Sequence, residues 1–176
     1  MKNKKIIYPL GWYQKKKREG HGLGFGKVGI YNGVNWGIHL GEDIVCKSNT
    51  PVRSIASGKI VYAGFHPGSK QKGNWGHIII IKHPKLLKGQ DVYSLYGHLG
   101  SLEKKKKQSV RIGERIGRIG SAYTQANGWW PAHLHFSIYT GPWQEVVLPG
   151  YYKKKQGRTR LSYWKHPSEF INGLLK

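Results

Sequence analysis

The sequence predicts an all-β protein built on an antiparallel β-sheet. Its apolar residues fall in short runs of four to nine, either alternating or rich in β-branched side chains. Gly, Ser, Pro and Asn punctuate those runs with no long helical pattern between them, as expected when neighbouring strands pair directly. One segment alone carries a helix-start signal, and it lies at the C-terminus.

Residues 1–20 are basic and lack apolar periodicity, so they read as an N-terminal arm or a loose first strand. Between His21 and Gly33, glycine recurs around a short strand at Lys27–Tyr31. The stretch Pro51–Ala63 divides at Ser57-Gly58 into two strands, a hairpin signal. His77–Lys82 reads His-Ile-Ile-Ile-Ile-Lys, a run suited to a buried strand. Asp91–Leu99 alternates, and His98 ends it. Ser101–Ser109 carries a lysine run and is expected to be a solvated loop. Further strands are expected at Arg115–Ile119 and Ala132–Thr140. Gly141–Arg160 reads as an extension beyond the core, within a basic C-terminal segment 141–176. Pro167–Leu175 is the helix, with Pro167 or Ser168 at its start.

At 176 residues the chain is long enough to bury a core as a single domain, expected over 21–140 with the two basic ends appended. Cys46 is the only cysteine, so no internal disulfide can form. It is expected to be a small buried hydrophobe rather than a ligand or nucleophile. No apolar run reaches the roughly 18 residues a membrane span requires, and the first residues lack a convincing signal-peptide pattern. The net charge of +22 comes mostly from lysine, with runs at 15–18, 104–107 and 153–155. Such a field steers a protein toward polyanions. Lysine acts as a point charge rather than the bidentate fork of arginine, so diffuse attraction to anionic envelope polymers is expected rather than specific nucleic-acid reading. No finger, helix-turn-helix or aromatic RNA-binding motif is visible.

Five groups carry chemistry: His39 and Asp43 in His-x-x-x-Asp, His98, and His133 and His135 in His-x-His. Alternate strand residues share a face, so His133 and His135 point the same way. His39 and Asp43 can converge with them if their segment is extended, and His98 can approach from another strand. Unpaired burial of so many polar groups is costly, which argues against a packing role. Two neutral imidazoles and a carboxylate would suit a zinc ion with one open position. Asp43 is the obvious carboxylate in a chain with eight acidic residues. Its neighbour Glu42 should face the opposite way.

Gly37-Ile-His39-Leu-Gly41-Glu-Asp43 is followed by Pro51-Val-x-Ser-Ile-Ala-x-Gly58-x-Ile-Val, Leu95-Tyr-Gly-His98-Leu, Ile116-Gly-x-Ile-Gly120 and His133-Leu-His135-Phe. This order resembles the LytM/lysostaphin-type zinc endopeptidases, peptidase family M23, over about residues 21–140. The resemblance implies a lysostaphin-like antiparallel sheet, of sandwich or half-barrel form, with the site in a groove walled by loops. It implies one zinc ion held by His39, Asp43 and His135, with His98 and His133 as catalytic residues that handle water and the transition state. The implied substrate is a peptide stem or cross-bridge of bacterial peptidoglycan, cut outside the cell or in its envelope by a monomer. Two departures stand out. Ser137 occupies a position where many members have Glu or Gln, and Gln125-Ala-Asn-Gly-Trp-Trp-Pro131 replaces a short turn before His-x-His.

Trp129 and Trp130 on that loop, and His21 near the first turns, are candidates for the substrate groove. His77 and His83 read as strand-end histidines satisfied by backbone, and His66 and His166 as exposed. A non-catalytic wall-binding or activator module on the same fold is the alternative function, although such modules usually lose ligands. A two-carboxylate glycosidase has too few acids to draw on.

Overall fold

The computed structural model describes residues 5–12, 22–31, 33–154 and 159–176. Twelve strands and one α-helix are found among them: β1 Val28–Tyr31, β2 Val34–His39, β3 Glu42–Val45, β4 Pro51–Arg53, β5 Gly58–His66, β6 Gly76–Leu87, β7 Gln90–Leu102, β8 Ser109–Val110, β9 Arg115–Ile119, β10 His133–Tyr139, β11 Tyr151–Tyr152, β12 Trp164–Lys165 and α1 Pro167–Leu175. The fold is all-β, and every strand pair is antiparallel.

The main sheet runs β12-β10-β7-β6-β5-β8, with β3 alongside β10, and β9 bridging β7 and β4. A small sheet, β1-β2-β11, stands beside it. The isoleucine run in β6 explains why the centre holds. Ile79 and Ile81 enter one apolar cluster with Tyr96, Leu134 and Phe136, while Ile78 and Ile80 enter a second with Leu95 and Tyr139. Period-2 alternation thus buries both faces of a continuous apolar run. In β10 the same alternation sends Leu134, Phe136 and Ile138 to the first cluster and leaves His133, His135 and Ser137 on the other face.

Three expectations are corrected. The Ser57-Gly58 break is no hairpin: β4 pairs with β9, whereas β5 pairs with β6 and β8. The breaker does separate two strands, but they pair elsewhere, because local turn chemistry does not choose between near and distant edges. Residues 5–12 of the expected arm are part of the body. Ile6 and Leu10 are fully buried, and backbone bonds tie Ile7 to Ile55 and Arg53 to Pro9. The 141–154 part of the expected 141–160 extension returns to the core, where Leu148 is buried and β11 pairs with β2. The helix matches its expected bounds, and its Ile171 is buried in the first cluster.

Candidate metal centre

His39 ends β2, and the chain then bends at Leu40-Gly41 before β3. That bend, rather than one extended segment, brings His39 and Asp43 together at 3.2 Å. A side chain at Gly41 would collide with His135 and Ser137. Asp43 lies directly across the ladder from His135, and His135 Nδ1 is 3.0 Å from Asp43 Oδ1. His39 Nε2 is 2.9 Å from His135 Nδ1. The donor atoms of His39, Asp43 and His135 all lie within 4.8 Å of one another, so these three could hold a metal ion.

His133 is one pleat away, with Nε2 3.7 Å from Asp43. His98 faces it, ring centroids 4.5 Å apart. β7 does not end at His98 but continues to Leu102 through irregular register. His98 adopts φ +61°, held by backbone bonds from its N–H to Trp75 and from Gly120 to its carbonyl. A bulky residue in this left-handed region is uncommon and marks strain of the kind that gathers at functional sites.

The outer ring nitrogens are all engaged. Nδ1–H of His39 donates to Gly24 O, that of His98 to Asn127 O, and that of His133 to Pro131 O. Each such bond leaves Nε2 as the bare nitrogen facing inward. His135 is turned the other way: Nε2 meets Ser137 Oγ at 2.8 Å and Nδ1 points at the cluster. Burial alone would raise the Asp43 carboxyl, but the imidazoles of His135 and His39 beside it outweigh that and hold Asp43 well below the usual carboxylate range. Burial depresses His135 to about 4. Burial also holds His98 well below the ordinary imidazole value, and nearby His133 and His135 add to the effect. His98 and His135 are therefore neutral at pH 7, the state a ligand or base requires.

Asp43, His98, His133 and His135 line a cavity of about 610 Å³ whose walls include Tyr31, Trp36, Trp75, Trp130 and Tyr151. Trp130 stands 6.0 Å from His98 by ring centroids. Trp129 faces an adjoining cavity instead. His21 lies outside the described residues; Gly22 beside it bonds to the Asp43 carbonyl. Glu42 does face the opposite way, buried against Ser168 and His166. His166 is consequently half-buried, not exposed, and His66 is half-buried against Tyr62. Cys46 packs on the first cluster, its thiol pushed up to about 12 by burial.

Sequence reasoning missed Trp36, Trp75 and Tyr151. Trp36 stands one residue before the Gly-Ile-His motif and could have been suspected. Trp75 fits against Gly97, where a Cβ would strike its ring. Tyr151 carries no local signal; it is delivered opposite His39 by pairing with β2.

The sequence profile described as Peptidase family M23 matches residues 37–147. The chain belongs to peptidase family M23. Lysostaphin of Staphylococcus staphylolyticus is 34% identical over 129 residues, 71% of this chain and 22% of that protein. The murein hydrolase activator NlpD of Salmonella dublin is 32% identical over 113 residues, 64% of this chain and 26% of that protein. The catalytic domain of lysostaphin from Staphylococcus simulans superposes with TM-score 0.58 at 24% identity, covering 94% of this chain and 99% of that domain, which establishes the shared fold. The chain spans about a fifth to a quarter of the length of the curated relatives it matches. M23 relatives thus include both hydrolases and an activator.

Proposed function

We propose that the chain is a zinc-dependent endopeptidase that hydrolyses peptide bonds in the stems or cross-bridges of bacterial peptidoglycan, acting outside the cell or in the envelope. The observation that carries this reading is the convergence of His39, Asp43 and His135 beside His98 and His133, each imidazole held from behind.

The donor set fits zinc. Four-coordinate zinc takes nitrogen and oxygen at about 2.0–2.2 Å, so ligand atoms in a tetrahedron lie roughly 3.3–3.5 Å apart. The separations of 2.9, 3.0 and 3.2 Å are slightly tighter. Lone pairs of two neutral imidazoles and an ionised carboxylate meet there, and a cation removes their mutual repulsion. Zinc held by His39, Asp43 and His135 would polarise the scissile carbonyl and acidify water.

His98 and His133 both present Nε2 lone pairs to the cavity, so either can act as base. One takes a proton from water as the water oxygen bonds to the carbonyl carbon. The imidazole that has gained the proton becomes the donor facing the developing oxyanion. It then returns the proton to the departing amine as the C–N bond breaks. The aromatic walls restrict water around these steps.

The test is zinc content and wall-peptide cleavage on five variants. His39→Ala, Asp43→Ala and His135→Ala are expected to lose metal. His98→Ala and His133→Ala should keep most of the zinc yet lose about 100- to 10,000-fold in rate. Zinc retained throughout with no cleavage by the unaltered chain would overturn catalysis and favour an activator role like that named for NlpD.

A further inference from the structure

We propose that the cavity adjoining the metal centre, walled by Tyr31, Trp36, Tyr123 and Trp129, is a saccharide subsite that takes a sugar ring of the glycan strand. The proposal rests on the reading that peptidoglycan is the substrate. Nothing in the proposed peptide hydrolysis uses this second space, which measures about 500 Å³. It shares Tyr31, Trp36 and Gly73 with the metal cavity, so one bound polymer can occupy both.

Its aromatic faces are open. Tyr31 is 41% and Tyr123 52% exposed. Large apolar groups displayed together beside a groove mark a binding surface rather than packing. The loop that displays two of them is built under strain: Tyr123 has φ +55° and Trp129 φ +70°. Bulky residues occupy that region only when the surroundings impose it. Asn127, fully buried, imposes it here. Its Oδ1 accepts from the N–H groups of Thr124, Trp129 and Trp130, and its Nδ2 donates to Trp130 O. Tyr123 N–H also donates to Trp130 O at 2.9 Å.

A second observation points to a ligand. Trp36 Nε1 is buried with no hydrogen-bond partner among the described residues. Such a donor is costly to leave unpaired, and Trp36 stands at the junction of the two cavities. Its ring lines both, so a ligand passing from one to the other meets Trp36.

The chemistry of the walls selects the occupant. A pyranose offers apolar C–H faces and an equatorial rim of hydroxyl and acetamido groups. Tyr31, Tyr123 and Trp129 supply flat apolar surface, while Ser69, Lys70 and Gln71 supply a hydroxyl, an ammonium and an amide at the edge. A stem peptide has no ring face to stack on these three side chains.

The probe is the N-acetylglucosaminyl-N-acetylmuramic acid disaccharide, without peptide, titrated into the full chain and followed through the indole N–H resonances. The resonances of Trp36 and Trp129 are expected to shift saturably. Tyr123→Ala should weaken binding about tenfold, and Lys70→Gln should weaken it less. Both positions are exposed, and an unchanged backbone spectrum verifies the fold. No saturable shift, a shift that neither variant weakens, or indoles that respond to free stem peptide alone would each overturn the proposal. Binding requires no turnover, so disaccharide binding without wall cleavage supports the subsite and refutes the hydrolase. Cleavage without disaccharide binding does the reverse.

Discussion

Each imidazole of the centre has one nitrogen committed to the protein and one left for chemistry, and the committed partner decides which is which. Three of the four use a backbone carbonyl, which no side-chain substitution can remove. His135 uses Ser137 Oγ. Ser137→Ala should therefore weaken zinc affinity about 10- to 100-fold, with full activity returning at raised zinc, as a competition titration against a chelator would measure. Away from the centre, His83 shows how burial fixes a protonation state. It is bonded to Ser57 O and Ser94 Oγ, and burial depresses it to about 4. Its folded value lies below its unfolded one, so the unfolded chain binds the extra proton. The contribution to stability is present above about pH 6.5 and is lost as pH falls toward about 4, amounting to ~3 kcal/mol. Urea unfolding between pH 7.5 and 4.5 should show this loss, and His83→Gln should flatten it. An unchanged slope in the variant would assign the loss to other groups.

Elements carry the site by register, and register is where sequence reading succeeded and failed. The strand Arg115–Ile119 and the helix Pro167–Leu175 were legible to the residue, because apolar periodicity and punctuation are local signals. The five chemical groups were legible from type and spacing, and alternation in β10 separates His133 and His135 from Leu134 and Phe136. Partner choice was not legible, since it depends on which distant edge is free: β4 finds β9, and β11 finds β2 across more than a hundred residues. Tyr151, opposite His39, was invisible for that reason. The tryptophans of the loop 125–131 single it out in the sequence, but its organiser is the buried Asn127, whose carbonyl also anchors His98. Asn127→Ala would leave the Trp130 N–H without its acceptor, whereas the Trp129 N–H keeps Thr124 O at 2.8 Å. A buried donor so deprived costs about 1–3 kcal/mol. The expected outcome is a lower thermal midpoint together with faster amide exchange confined to this loop and the His98 bulge. Exchange rising uniformly would show global loosening instead.

At the scale of the whole molecule, a net charge of +22 sits on a body whose eight acidic residues are already occupied in part by specific tasks. Asp43 is in the candidate metal centre and Glu42 is buried beside α1. Glu103 pairs with Arg115 and Arg118, Glu114 with Lys104, and Asp91 with Lys82. Among the described residues, few carboxylates are left to compensate the lysine runs. The 104–107 run is not uniform: Lys104 is paired, Lys106 lies 3.9 Å from the exposed Glu145, and Lys105 and Lys107 meet no carboxylate among the described residues. Attraction to anionic envelope polymers should come from the uncompensated members. Lys105→Gln with Lys107→Gln is expected to weaken pull-down by purified walls at low salt. Lys104→Gln should do less for wall binding and more to Glu114, whose carboxyl is held below its ordinary value by that lysine. Near 1 M salt, where screening acts over about 3 Å, all variants should bind alike. Equal pull-down at low salt by the double variant and the unaltered chain would move the attraction to other lysines, such as Lys153 at the groove.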